Sequence, residues 1–458
     1  MQASTLARDA TATVRATAPG PAMRQLIRDL FPICRSITGD GVRDTLARIG
    51  REIPIQVHEV PSGTPVLDWQ VPREWNIRDA WIKNSAGERV VDFRAHNLHV
   101  VNYSVPVRGR VSRDELQRHL HSLPAHPDWI PYRTSYYAEE WGFCVTERQR
   151  EALTEPDYDV CIDSEFRDGS LTYGECLVAG ATDHEVLVSA HVCHPSLAND
   201  NLSGIAVATE LAKYVAARPR RYSYRFLFAP GTIGAITWLA QHEARASTIA
   251  HGLVLAGVAG PGGLTYKRSR RGNAIIDCTM GFVLRQSGAE YAVQDFSPYG
   301  HDERQYCSPG FDLPVGCLMG APWGTYPEYH TSADSIEFVS DAALSGALRA
   351  CTEAVEVLEG DGLYLNLKPK GEPQLGRRGL YRTLGGPDAA DAQLAMLWIL
   401  NYSDGRHRLL DIAEKAAMSF GSIRRAADAL IAAGLLVECA APPAGQPSRA
   451  AGRTREVI

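Results

Sequence analysis

Residues 185–215 read EVLVSAHVCHPSLANDNLSGIAVATELAKYV. Val186 to Ala190 are short, apolar and partly β-branched, the pattern of a buried strand. The strand runs into His191, Cys193 and His194, and Asp200 follows nine residues after His191, inside Asn199-Asp200-Asn201. Ser203-Gly204 then opens a helix whose apolar positions are Ile205, Ala208, Leu211, Ala212 and Val215. Imidazoles and a carboxylate are therefore presented at the carboxyl end of a strand and the start of a helix, where open α/β sheets place their sites. That ligand mix suits Zn²⁺, which in a catalytic site keeps one position for water. Histidines after a strand are also ordinary loop residues, and Asn-Asp-Asn is also an ordinary turn. A second stretch, EYHTSAD at 328–334, favours the metal: His330 precedes Asp334 by four residues, a spacing that suits an acidic group holding a ligand loop or ring from behind.

The strand at the centre has repeats of its kind on both sides. Gly174–Val178, Tyr222–Phe228, Leu253–Val258 and Pro314–Leu318 read as strands, with Val160–Ile162 before them. Thr232–His242 and Ala342–Glu359 read as helices between or after them. This alternation predicts an α/β fold with a mostly parallel sheet and helices on both faces. Upstream, residues 22–49 have the periodicity of two helices joined at Cys34-Arg35-Ser36, and Ile53–Val60 alternates like a strand. Residues 64–150 are rich in Trp and Tyr and read as an inserted β-rich domain, most of whose aromatics are core. Tyr136–Trp141 could instead form a lip over the site, with Glu139 and Glu140 as contacts for a cationic group. The large domain is thus expected over 22–63 and 151–360, after a leader at 1–21.

Residues 361–375, GDGLYLNLKPKGEPQ, read as a linker. Three helical segments and a short strand over 376–440 follow winged-helix logic, and 441–458 reads as a disordered tail. The third helix, SIRRAADALIAAG, offers only Arg424 and Arg425, so protein contact or homo-oligomerisation is preferred over nucleic acid.

Composition bounds the rest. Of 458 residues, 45% are hydrophobic and 22% charged, and the net charge of −6 gives no general attraction to nucleic acid or anionic membrane. There is no run of about 18 apolar residues. Ten scattered cysteines without a CxxC pair describe a cytoplasmic chain of packed thiols rather than a disulfide scaffold. Cys193, between two histidines, could be a soft ligand or nucleophile, but packing is its plainer role.

Seven segments together resemble a known family: LFPICRSITGDGVRDTL (30–46), YYAEEWGFCVT (136–146), SAHVCHPSLANDNLSG (189–204), TIGAITWLA (232–240), YKRSRRGN (266–273), HDERQYCSPGFDLPVG (301–316) and PEYHTSADS (327–335). The chain is similar to an aminopeptidase-like family of unassigned function, within the zinc exopeptidase superfamily that includes bacterial zinc aminopeptidases and glutaminyl cyclases. The resemblance implies a zinc-exopeptidase-like fold with a small inserted domain and a C-terminal winged helix. It implies His191, Asp200 and His330 as metal ligands, with His194 and Asp302 as reserves and Asp334 behind the ligands. Related sequences carry a Glu where this chain has Gly231 and an Asp within Leu255–Gly260; both acidic positions are missing, which implies about one Zn²⁺ per chain and a different general base. Glu328 and Glu140 are the main replacement candidates, with Glu303 a third. Arg268, Arg270 and Arg271 could hold a substrate carboxylate or phosphate, or be a solvated loop; Asp302 and Tyr306 are further substrate contacts. The implied function is a zinc-dependent hydrolase of a small peptide, aminoacyl amide or related conjugate, with a biosynthetic role as one option. A single-zinc transferase or cyclase and a non-catalytic binding or assembly protein are the alternatives.

Overall fold

The structure, a computed structural model, describes residues 19–380 and 387–439. The expected leader and tail fall almost wholly outside them. An eight-stranded sheet forms the frame, in the order Gln56–Pro61, Ser170–Val178, Ser223–Ala229, Glu185–His191, Ile249–Leu255, Val315–Met319, Leu264–Lys267 and Tyr291–Gln294. Glu185–His191 and its neighbours Ser223–Ala229, Ile249–Leu255 and Val315–Met319 run parallel, and the central strand is buried on both faces. Strands Gln56–Pro61, Ser170–Val178 and Leu264–Lys267 join antiparallel, so the sheet is mixed towards its edges.

One face is covered by helices Pro19–Leu30, Gly204–Ala216, Ile275–Gln286 and Asp341–Gly360, whose apolar sides form one core with Val186, Val188 and Phe226. The other face packs Leu187, Leu227 and Val254 against helix Ile233–His242 and the short helix Glu303–Tyr306. Within the sheet, Arg225 is buried between the carboxylates of Glu175 and Glu185, so these charges are paired rather than available to a ligand.

Two boundaries differ from the sequence reading. Val160–Ile162, expected as a strand of the large domain resuming at 151, is part of an eleven-residue strand, Asp157–Arg167, in the interior of the smaller sheet. It pairs with Glu74–Lys83 on one side and Val107–Ser112 on the other. The insertion therefore reaches past residue 150, because this strand and Ser170–Val178, separated by only two residues, belong to different sheets. At the other end, the expected linker contains strand Leu363–Asn366, which lies between Asp404–Arg408 and Leu436–Glu438. The C-terminal unit starts at about 362 and not at 376. Its helices, Pro387–Tyr402, Leu409–Ala416 and Phe420–Ala432, agree with the expected three. The unit is anchored by Asp361, which accepts from Arg408 Nε at 2.5 Å and from the Leu410 amide at 3.0 Å. Arg424, offered earlier as a cationic surface residue, donates to Gly360 O and Tyr364 Oη and pairs with Asp428. No helix among the described residues is long and apolar enough to cross a membrane.

Candidate metal centre and cavity

Asp200 is the hub. Its carboxylate is 1% exposed and receives His191 Nε2 on Oδ1 at 2.9 Å and His330 Nε2 on Oδ2 at 2.9 Å. His194 Nε2 lies 3.7 Å from Oδ2. The ligand atoms of His191, His194 and Asp200 all lie within 4.8 Å of one another. His194, a reserve ligand in the sequence reading, is thus placed within reach of a metal held by His191 and Asp200.

Local structure explains the convergence. His191 is the last residue of its strand, level with Ala229 on the parallel neighbour. The loop at 198–203 is fixed from two sides. Asn201 donates to Leu255 O at 2.9 Å and accepts from the Gly257 amide at 3.0 Å, tying the loop to the next strand end. Asp334 accepts the amides of Asn199 and Asp200 at 2.5 and 2.9 Å. It therefore holds the ligand loop, rather than the His330 ring, from behind. His330 itself has φ of +57°, a conformation most side chains avoid. The inserted domain keeps it there: the Tyr132 amide donates to His330 O at 2.8 Å, and Ile130 and Ser332 exchange two further bonds. Arg35, fully buried, donates to His194 O at 2.8 Å.

The electrostatics suit a cation. Burial works against the Asp200 carboxylate, but His194, His191 and His330 hold it well below its ordinary range. Burial pushes His194 well below its usual value and His301 down to about 4, so both present neutral rings. Burial opposes protonation of His191, yet its bond to Asp200 keeps it above the usual value. Burial lifts Asp334 to about 7, against the pull of the two amides, and Asp302 to about 6, against the pull of His191. Imidazoles and a carboxylate, converging with neutral nitrogen donors among them, are a donor set that fits zinc. The Cys193 thiol is raised by burial, accepts the Gly231 amide at 3.3 Å and sits 3.0 Å from His194 Nδ1; it is a packed thiol and not a thiolate.

A cavity of about 470 Å³ opens on this cluster. Its walls include His191, His194, His301 and His330, the aromatic residues Trp69, Tyr136 and Tyr137, and Gly231, Asp302, Arg304 and Gln305. Other expected site residues lie elsewhere. Glu328 and Glu140 do not line it, and Glu140 is exposed. Arg268 pairs with Asp295, and Arg270 and Arg271 with Asp312, outside the cavity. Tyr306 is buried in the core with its hydroxyl on Ser189 at 2.9 Å, and Glu303 is buried against Lys267 at 2.6 Å. Of the lip, Tyr136 and Tyr137 reach the cavity, whereas Trp141 stacks on His119. Residues not singled out from sequence also meet here: His301, stacked on His191 at 5.5 Å, and Arg304. Their only signal was membership of the same HDERQYC segment as Asp302.

Residues 24–361 match the family described as a domain of unknown function, DUF4910, and 362–438 match a winged helix-turn-helix. The chain belongs to this family. A family relative from Clostridium acetobutylicum, whose name proposes a polysaccharide biosynthesis protein with an aminopeptidase-like domain, is 50% identical over 91% of this chain and 96% of its own. A crystal structure from the same organism, described as a proposed peptidase, shares 48% identity over 92% of this chain and 96% of that one, with a TM-score of 0.87. A zinc aminopeptidase from Bacillus subtilis is 14% identical, covers 74% of this chain and 94% of its own, and has a TM-score of 0.53. The family fold is therefore aminopeptidase-like, with an added winged helix, as the sequence resemblance implied.

Proposed function

We propose that the protein is a zinc-dependent amide hydrolase acting on a small peptide, aminoacyl amide or related conjugate. The observation that carries this reading is the convergence of His191, His194 and His330, all on the wall of one cavity, on one buried carboxylate. Asp200, His191 and His330 would hold the metal, with His194 close enough to join them. When bound, zinc polarises a carbonyl and lowers the pKa of a water. Two acidic residues of the related double sites are absent at Gly231 and at Leu255–Gly260, which favours one ion per chain.

The base must then come from another place. Among the described residues lining the cavity, Asp302 is the one carboxylate. It is 3% exposed and makes no side-chain hydrogen bond to a described residue, so its oxygens are free to accept a proton from water and return it to the leaving nitrogen. Tyr132 and Tyr136, whose hydroxyls meet at 3.0 Å, form a wall that orients the scissile group and limits water. The relative's name supports a biosynthetic conjugate over a general peptide.

Zinc content by plasma emission, followed by turnover on a panel of aminoacyl amides and conjugates, tests the proposal. About one zinc per chain and measurable hydrolysis are expected. Asp302→Asn should keep zinc and lower kcat about 10²–10⁴-fold. A chain that holds no zinc after refeeding, or an Asp302→Asn variant as fast as wild type, would refute it.

A further inference from the structure

We infer that the substrate carries an oxyanion, a carboxylate or phosphate, bound by Arg304 on the cavity wall. This inference takes the position of the scissile carbonyl from the reading above, but the anion subsite stands on separate observations. The short helix Glu303–Tyr306 divides its side chains between two environments. Glu303 and Tyr306 are completely buried, while Asp302, Arg304 and Gln305 face the cavity. The neighbouring cations all have partners: Lys267 has Glu303, Arg268 has Asp295, and Arg270 and Arg271 share Asp312. Arg304 is different. Its guanidinium makes no hydrogen bond or ion pair with any described residue, and its Nε is buried without a partner.

A desolvated guanidinium N–H is costly to leave unsatisfied, and the planar fork of N–H donors fits an oxyanion in two-point fashion. Asp302 is near enough to feel the charge, but the two form no ion pair, so no described carboxylate competes with a ligand for the guanidinium. Gln305, beside it on the same wall, adds an amide that can donate to the same group. The subsite and the His191/His330 cluster share one cavity, so a molecule spanning both is small. Trp69 and Tyr137, with ring centroids 5.4 Å apart, add an apolar face to the same cavity. The sequence reading put this role on Arg268 and Arg270; tertiary placement moves it to Arg304.

The test is calorimetric titration of the full chain, zinc-loaded and metal-free, with matched probes. N-acetylglycine against N-acetylglycinamide reports a carboxylate, and phenyl phosphate against phenol a phosphate. One anionic member should bind about tenfold or more tighter than its neutral twin in both metal states. Arg304→Gln should abolish that preference without changing neutral-probe affinity or zinc content. Arg304→Lys, which keeps the charge but loses the fork, should retain part of it and serves if the first variant melts early. Equal affinities, no anion binding, a preference seen only with zinc present, or a preference intact in Arg304→Gln would each overturn the inference. Anion selectivity in a chain that never holds zinc would refute the proposed hydrolase and leave the subsite standing.

Discussion

Gly231 gives the sharpest way to probe the missing acidic position. It follows strand Ser223–Ala229 by two residues, lines the cavity and lacks positive φ, so a side chain there meets no backbone strain. A Cβ would come within 3.3 Å of His191 Cβ and 3.6 Å of both Cys193 Sγ and His191 Cγ. These contacts are tight but not closed, and they involve side chains, so a shift of a few tenths of an ångström accommodates them. Gly231→Ala should therefore cost no more than the low end of overpacking, about 1 kcal/mol. Gly231→Glu adds a carboxylate that projects into the cavity beside His191. If a base at this position is what the chain lacks, amide hydrolysis should rise by up to about 10²-fold, the lower bound for a well-placed base, since Asp302 already supplies part of that function. Initial rates on an aminoacyl amide panel are compared across wild type, Gly231→Ala and Gly231→Glu, with melting temperature and zinc content measured on each sample. A Glu variant that is folded, zinc-loaded and no faster than Gly231→Ala would refute the idea that position 231 governs the rate. Zinc bound at two equivalents in that variant would instead show that the new carboxylate acts as a ligand.

Three further outcomes are expected. Asp334→Asn turns an acceptor of two buried amides into a group with a donor on one side; zinc affinity should fall about 10–100-fold in a competition titration, and affinity unchanged from wild type would mean the loop at 198–203 holds itself. His194→Ala should reduce retained zinc about as much as His330→Ala, because both rings face the same Asp200 oxygen, at 3.7 and 2.9 Å, and His194 also groups with His191; full retention after dialysis would place His194 outside the ligand set. A chain ended after residue 375 should melt lower and aggregate more than one ended after 361, because it leaves strand Leu363–Asn366 without either neighbour; equal behaviour in melts and light scattering would refute that strand's place in the winged-helix sheet.

Much of the frame was present in the order of residues along the chain. The apolar run Val186–Ala190, the Asn-Asp-Asn turn and the helix from Ser203-Gly204 are local patterns, and local patterns survive without knowledge of the fold. The same holds for the helices at 341–360 and 387–432, whose periodicity is long enough to read. Their similarity to a known family then tied His191, Asp200 and His330 together across more than a hundred residues. What composition and spacing could not convey was which of many equivalent charges lacks a partner. Arg268, Arg270 and Arg304 look alike in sequence; only the positions of Asp295 and Asp312 neutralise the first two. Glu140, Glu328 and Glu303 were likewise interchangeable as bases in the sequence; packing puts none of them on the cavity wall and leaves Asp302, read only as a reserve ligand or substrate contact, as the carboxylate there. The helix Glu303–Tyr306 is too short to show periodicity, so the division between core-facing Glu303 and Tyr306 and cavity-facing Arg304, with Asp302 just before it, belongs to the tertiary structure. Strands Asp157–Arg167 and Leu363–Asn366 were misassigned for a related reason. A strand's sequence records that it will pair, while the choice of sheet depends on partners distant in the chain.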